Sequence, residues 1–498
     1  MIPNFLSLET KVKYFRSKKF IFSFLKKRRF SSIKLAKVVP QLGQKQKINV
    51  MKCLKYKFLI AAICTTVWGF AQTADSMRKW DIQDCFKYAT AHNIQINSLR
   101  LSAETSQQEL LIAKGNKFPS LYGLATNSFR NSKNDPTGNG NLVNQFVTNG
   151  SYTLNSSVIL WNYNYINHNI QQRALYLQSA GLSINQTQNN ITLQITQAYL
   201  NILLSEENQK YIADLVTTSE AKVKQGQLLF DAGSTAKLNL LQLQAQLASD
   251  KYLLVQSQNT IKQNMLALKQ LLQLPTDTLF DIVIPITLKV KKKLLPIQQV
   301  QQTANQIFPE IKIAQLGIDI AELDISKSKA GFKPTLSANG TIGTGYNDVI
   351  SHAYYAKTEF FTQTNNNLYE GIDLNLSIPI FSNWLHKANL EKSKIGLKQS
   401  SLNAENSQLV LSQAVEQAYL NTSNAIEAFD AADVTLKAVN ESFRIINEEF
   451  KLGAINAFDV LQQRNQYIQA VEAFTQAKYT AILQEKIYEF YAGNPITL

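Results

Sequence analysis

Between residues 150 and 160 the chain alternates. Tyr152, Leu154, Val158 and Leu160 fall on one side of an extended backbone, and Ser151, Thr153, Asn155 and Ser157 fall on the other. The same period of two governs residues 371–380, where Ile372, Leu374, Leu376, Ile378 and Ile380 oppose Asp373, Asn375 and Ser377. It returns more weakly at 334–346, with Leu336, Ala338 and Ile342 opposed to Thr335, Ser337, Asn339 and Thr341. Residues 119–130 are the least regular of the four. Successive strand side chains point to opposite faces, so this pattern predicts strands near 119–130, 150–160, 334–346 and 369–380, each apolar on one face and polar on the other.

Elsewhere the pattern is helical. No proline lies between Pro136 and Pro275, or between Pro379 and Pro495. Both spans are rich in Leu, Ala, Gln, Glu and Lys, which favour helix. Heptad-like spacing, as in Leu228, Leu238, Leu241, Ala245 and Ala248, predicts a narrow apolar stripe of coiled-coil type. Residues 161–231 contain only Gly181 and Gly226 as weak spots. A helix of that length would extend roughly 100 Å at 1.5 Å per residue, far beyond an average helix of about 11–12 residues.

The elements are duplicated. "ITQAYLN" from Ile195 returns as "VEQAYLN" from Val415, 220 residues later. "LLFDAGSTAKLNLLQLQ" is matched by "EEFKLGAINAFDVLQQR", aligning Phe230 with Phe450 and Gly233 with Gly453 at the same offset. Each half therefore reads helix, strand, strand, long helix, turn, return helix. Repeat one covers 72–273 with a tip turn near 231–237. Repeat two covers 301–494 with a tip turn near 451–457. Gly233 and Gly453 stand where a helix C-terminus needs positive φ, and Asn239 and Asp459 fall just inside the next helix. Residues 274–300 link the halves. They hold three prolines and a basic run, Lys289 and Lys291 to Lys293, which reads as a solvated face.

Charge changes the picture at the N-terminus. The formal net charge of the 498-residue chain is +15. Residues 1–71 hold 16 of the 51 Lys/Arg and one of the 36 Asp/Glu, so the remainder carries 35 of each and is neutral. That excludes a nucleic-acid reading built on global charge. Residues 51–71 have a signal-peptide form: Lys52, Lys55 and Lys57, then an apolar run too short for a membrane helix, then Gly69-Phe70-Ala71. The expectation is cleavage after Ala71 and export. Residues 1–50 are basic and patternless, and read as an extension ahead of the true start at Met51. Of Cys53, Cys64 and Cys85, only Cys85 would remain, so no intrachain disulfide is expected.

Strands of this kind fit an outer-membrane β-barrel and also fit the surface sheet of a soluble protein. Each pair is joined by a polar loop, at 130–150 and at 347–369, as a barrel's outer loops would be. Four strands cannot close a barrel, since small barrels need about eight, and an open edge is forbidden in lipid. If these strands span a membrane, several chains must share one barrel. Enzyme readings find no footing. His92, His168, His352 and His386 form no pair at helical spacing, Cys85 has no near companion, and neither a Walker-type glycine pattern nor G-x-S-x-G occurs. No catalytic residue, metal or cofactor is expected. A periplasmic or surface coiled-coil protein with a structural or adhesive role stays open, and so, more weakly, does a membrane-fusion adaptor.

"FPSL" at 118–121, "FKPTL" at 332–336, "IPIFSN", "QAYLN" and the two tips followed by "LLQLQAQLAS" and "VLQQRNQYIQA" occur in this order and duplicated. Together they make residues 78–494 resemble the TolC family of outer-membrane efflux proteins. The resemblance implies a mainly α fold with a transmembrane β-barrel: a homotrimer in which each chain gives four strands to a twelve-stranded barrel and its long helices to a periplasmic tunnel. It implies an outer-membrane exit duct of an efflux or type I secretion system, passive in itself, set in outer-membrane lipid and docking onto a periplasmic adaptor and an inner-membrane transporter. By position, Phe230, Gly233, Phe450 and Gly453 match adaptor-docking tips, and Asp459 matches the acidic periplasmic aperture. Asn239 and Gln462 depart from acidic positions there, which weakens a cation-selective ring. Asp459 equally fits a first-turn acid facing the helix dipole. Residues 274–300 resemble the family's equatorial belt.

Overall fold

The computed structural model describes residues 79–135, 138–285, 288–349, 358–452, 454–455 and 457–498, all within the compact unit Met77–Leu498. The N-terminal extension, the signal-like segment and Gly453 lie outside the described residues.

The chain runs β1 (Lys79–Trp80), α1 (Ile82–His92), α2 (Ile94–Gly115), β2 (Ser120–Asn134), β3 (Val143–Trp161), α3 (Tyr165–Asp231) and α4 (Lys237–Leu271). The linker contributes β4 (Asp281–Ile282). Then follow α5 (Ile297–Ile307), α6 (Pro309–Ala330), β5 (Thr335–Val349), α7 (Phe360–Asn366), β6 (Tyr369–Ser377), α8 (Leu385–Lys451) and α9 (Ala457–Tyr491). Matching helices of the two halves have equal lengths: 11 residues in α1 and α5, 22 in α2 and α6, 67 in α3 and α8, 35 in α4 and α9. The halves differ in between, where the 19-residue β3 is answered by α7 and the 9-residue β6.

Local chemistry sets the breaks. Asp81 caps α1 by accepting from the Gln83 N–H at 2.6 Å. Asn93 ends α1 and caps α2, accepting from Gln95 and Ile96. In the second half the same division falls at Phe308, with Pro309 at the first position of α6, where a missing N–H costs nothing. The corner from strand to long helix is built alike in both halves. Tyr163 and Asn164 have φ of 51° and 63°, and Asn383 and Trp384 have 48° and 66°. Two successive non-glycine residues in the left-handed region are costly and persist only where the surroundings fix them.

β2, β3, β5 and β6 form one antiparallel sheet in that order. β2 and β6 are its edges, and β3 pairs with β5 across the two halves. Three strand expectations are adjusted. β3 starts at Val143 rather than near 150. The last strand ends at Ser377, because Pro379 has no N–H for a ladder, so Ile378 and Ile380 lie beyond it. The loop expected at 347–369 contains α7.

The core lies where the linker crosses the helices. Ile195, Tyr199, Leu200, Ile202 and Leu203 of α3 pack with Cys85, Ile96, Leu268, Ile282 and Ile482. Val300, Ala304, Phe308, Val415 and Tyr488 form a second cluster. The basic run is not a plain solvated face. The Lys291 N–H donates to the buried Glu485 carboxylate at 3.0 Å, Lys291 Nζ reaches Glu489 at 2.7 Å, and Lys292 pairs with Asp430 at 2.6 Å. These contacts strap the linker to α8 and α9. Gly226, expected to be a weak spot, is a point of close approach: a Cβ there would meet Leu243 at 2.8 Å.

Candidate functional site

The sheet register sorts side chains onto two faces, since residues paired across antiparallel strands share a face. One face carries Leu121, Leu154, Val158, Leu336, Ala338, Ile342, Ile372, Leu374 and Leu376. Six of these nine are solvent-exposed in the single chain, Ile372 to 84%, and Val158, Leu336 and Ala338 are half-buried. The other carries Ser151, Thr153, Asn155, Ser157, Ser337, Asn339, Thr341, Asp373, Asn375 and Ser377, tied by hydrogen bonds. Ser157 donates to Asn339 Oδ1 at 2.7 Å, Thr341 to Asn155 Oδ1 at 3.2 Å, and Asn155 Nδ2 to Thr153 Oγ1 at 2.9 Å. A polar face with an internal network, and an apolar face that the described residues leave mostly open, are inverted relative to a soluble domain, where the apolar face goes inside.

Aromatic side chains bound the apolar face at both ends. Trp161, Tyr163, Phe381 and Trp384 stand exposed toward the helices. Phe129 and Phe146 stack at the far end, near Tyr152 and Tyr346. The nine steps from Tyr152 to Trp161 rise roughly 30 Å along the strand. Tilted as barrel strands are, that is about 23 Å across a membrane, close to the ~25 Å apolar band of outer-membrane barrels. Glu370 is the charged residue at the band's outer margin, level with Ile342.

At the opposite end lie the helical tips. Gly233 has φ of +76°. Its N–H donates to Phe230 O at 2.8 Å, and the Ser234 N–H reaches back to Leu229 O at 2.8 Å, the six-to-one closure of a Schellman C-cap. The second tip shows the same closure, with the Ala454 N–H on Glu449 O at 2.9 Å; Gly453 itself is outside the described residues. Phe230 and Phe450 are half-buried. The apolar groups that stand free at the tips are others: Leu229, Leu238, Leu452 and Phe458. Leu238 and Phe458 each hold the second position of a return helix, 220 residues apart, a signal the repeat alignment already contained. Asn239 is half-buried and its Nδ2 donates to Thr235 Oγ1 at 3.0 Å. Asp459 lies in the first turn of α9. Asp459 and Gln462 are both exposed. Leu228, Leu238 and Leu241 of the expected heptad stripe are exposed, whereas Leu240 is buried.

One arrangement escaped the sequence reading. Arg464 and Asp250 are 1% and 0% exposed, with Arg464 Nη2 on Asp250 Oδ2 at 2.6 Å. Ser219 and Gln246 also donate to Asp250. Arg464 Nη1 is buried with no hydrogen-bond partner among the described residues. Lys222 packs over the Phe443 ring and donates to Asn447; burial, aided by the Arg464 charge, lowers its pKa. The pair joins the α3–α4 hairpin to α9. Its signal was a charge inside each apolar stripe: Leu240, Leu243, Leu247, Asp250 in one, and Val460, Arg464, Tyr467, Val471 in the other.

Among the described residues, no group of three His, Cys, Asp or Glu is placed to hold a metal. Their helices include none long and apolar enough to cross a membrane, which says nothing of the sheet.

Residues 300–486 match the outer membrane efflux protein family. No curated protein matches the sequence. Among solved structures, the Campylobacter jejuni CmeC outer membrane channel superposes with a TM-score of 0.69 at 16% identity, covering 82% of this chain and 85% of that one. The Neisseria gonorrhoeae MtrE outer membrane channel, solved in its open state, gives 0.65 at 19% identity, with 82% and 88% covered. The Vibrio cholerae outer membrane protein VceC gives 0.67 at 14% identity, with 83% and 96% covered. At these identities the likeness is one of fold. The second half thus carries the sequence pattern of the outer membrane efflux protein family, and most of the chain adopts the fold of these outer membrane channels.

Proposed function

We propose that three copies of the chain form the exit duct of a tripartite export system. The observation that carries this is the sheet: four antiparallel strands, apolar outside and polar inside, with both edges unpaired. Unpaired edges are not tolerated in hydrocarbon. Pairing β6 of one copy with β2 of the next removes every edge, and three copies give twelve strands. The polar face then lines the lumen, wetted by Ser, Thr and Asn, with Asp373 as its acidic member. The 67-residue α3 and α8, each roughly 100 Å long, carry the duct across the periplasm.

The duct moves cargo by shape and wetting; energy comes from an inner-membrane transporter reached through a periplasmic adaptor. The tips around Gly233 and Gly453, flanked by Phe230 and Phe450, are the docking surface, and the exposed Leu229, Leu238, Leu452 and Phe458 give it apolar grip. Asp459, with Asn239 and Gln462 nearby, lines the periplasmic aperture.

The test is the mass of detergent-extracted protein from an outer-membrane fraction, followed by conductance in planar bilayers. A detergent-dependent trimer that opens water-filled channels is expected. A monomer released by salt alone would overturn the duct and leave a periplasmic coiled coil.

A further inference from the structure

We propose that α7 is an interfacial anchor, pinned to the outside of the sheet at its outer rim so that Phe360 and Phe361 enter the lipid headgroup region. This rests on the shared-barrel reading. The β5–β6 ladder stops at the pair Gly343–Tyr369, yet β5 continues to Val349. Beyond Gly343 the β6-side backbone groups of β5 need other partners, and α7 supplies them. Gln363 Oε1 accepts from the Asn347 N–H at 3.0 Å, and Asn367 Nδ2 donates to Gly345 O at 2.8 Å. Thr344 Oγ1 donates to Thr364 O. Two side-chain amides one helical turn apart thus replace a strand's edge, which an apolar surrounding requires.

The side on which α7 lies decides its partner. Phe360 packs on Tyr346 at 4.9 Å and on Tyr152 at 6.4 Å. Tyr346, Tyr152 and Thr344 all belong to the apolar face, opposite the Ser/Thr/Asn network. Phe361 stands edge-on to Phe360 and is 81% exposed. Exposed Phe129 lies at the same end of the same face. An aromatic pair continuous with an apolar band, at the level where interfacial belts occur, fits lipid and not a lumen.

The experiment is Phe361→Trp in full-length protein, reconstituted in vesicles of lipids brominated at shallow or deep acyl positions. Phe361 is exposed, so the change spares folding. Subtracting the parent's fluorescence isolates the new residue. The expected result is blue-shifted emission, quenched more by shallow than by deep bromines and little by aqueous iodide. Emission quenched by iodide and not by brominated lipid would overturn the anchor, as would emission quenched by neither, which would mean protein covers it. The parent reports the underlying reading separately: Trp161 and Trp384 sit at the other interface. If brominated lipids quench them but not residue 361, only the anchor falls. If they quench none of the three, the barrel falls with it.

Discussion

Arg464 and Asp250 show what a single side chain contributes here. Two charges taken from water recover their desolvation only through each other and the Ser219 and Gln246 donors, so removing one is worse than removing both. Arg464→Met should lower stability by about 3–5 kcal/mol, read as a drop in denaturant midpoint. Asp250→Leu combined with Arg464→Met should recover most of that loss, and equal losses in both variants would refute the account. Cys85 makes a second residue-scale case. Burial, with Asp81 and Asp84 nearby, pushes its thiol up to about 12 from 9.0. The folded chain therefore keeps this proton longer than the unfolded one, so the contribution is full below pH 9.0 and is lost as pH rises toward about 12. Iodoacetamide at pH 8 should leave Cys85 unmodified in the native protein and alkylate it in urea. Neither residue was singled out from the sequence for these roles. The repeat alignment could not reveal Asp250 or Arg464, because the positions 220 residues away hold Ala470 and Gln244.

At the scale of elements, what could be read in the sequence was whatever one period governs. The strands alternate, so their faces were legible; their ends were not, because Pro379 stops β6 and the start of β3, where Phe146 and Val147 are adjacent, does not alternate. The tips were legible through Gly233, whose left-handed φ no other residue adopts cheaply. Gly233→Ala should cost about 1 kcal/mol through the backbone alone, since nothing lies within 4 Å of its Cβ position, and thermal unfolding would record it. The seven-residue α7 was invisible, being held by tertiary contacts and not by its own periodicity. The linker's basic run was read by charge alone, and its partners on α8 and α9 are distant in sequence. Because Glu485 accepts the Lys291 N–H from a buried position, Glu485→Ala leaves that group without its partner and frees the strap. Trypsin should then cut at Lys289 and Lys291–Lys293 several-fold faster, with the helices intact by circular dichroism. Unchanged cleavage would mean that the Lys291–Glu489 and Lys292–Asp430 pairs hold the linker without it.

For the whole molecule, the question is what Asp459 would do in the proposed assembly of three chains around one axis. Its position in the first turn of α9 suits the helix dipole in a lone chain; in the proposed trimer, threefold symmetry would add a ring of three carboxylates at the periplasmic end of the duct. The two roles separate by salt. A ring across a pore acts through solvent, over a Debye length of about 8 Å at 0.15 M and about 3 Å at 1 M, whereas a dipole contact acts within one helical turn. Under a KCl gradient in planar bilayers, Asp459→Asn should move the reversal potential toward zero at low salt and change nothing near 1 M. Gln462→Asp, one turn further along α9, should strengthen cation preference under the same conditions. If Asp459→Asn instead leaves selectivity untouched and lowers thermal stability by about 0.3–1 kcal/mol, the residue serves its helix and the aperture is set elsewhere. The neutral Asn239 and Gln462 predict a modest effect: three charges where an acid at either position would give six.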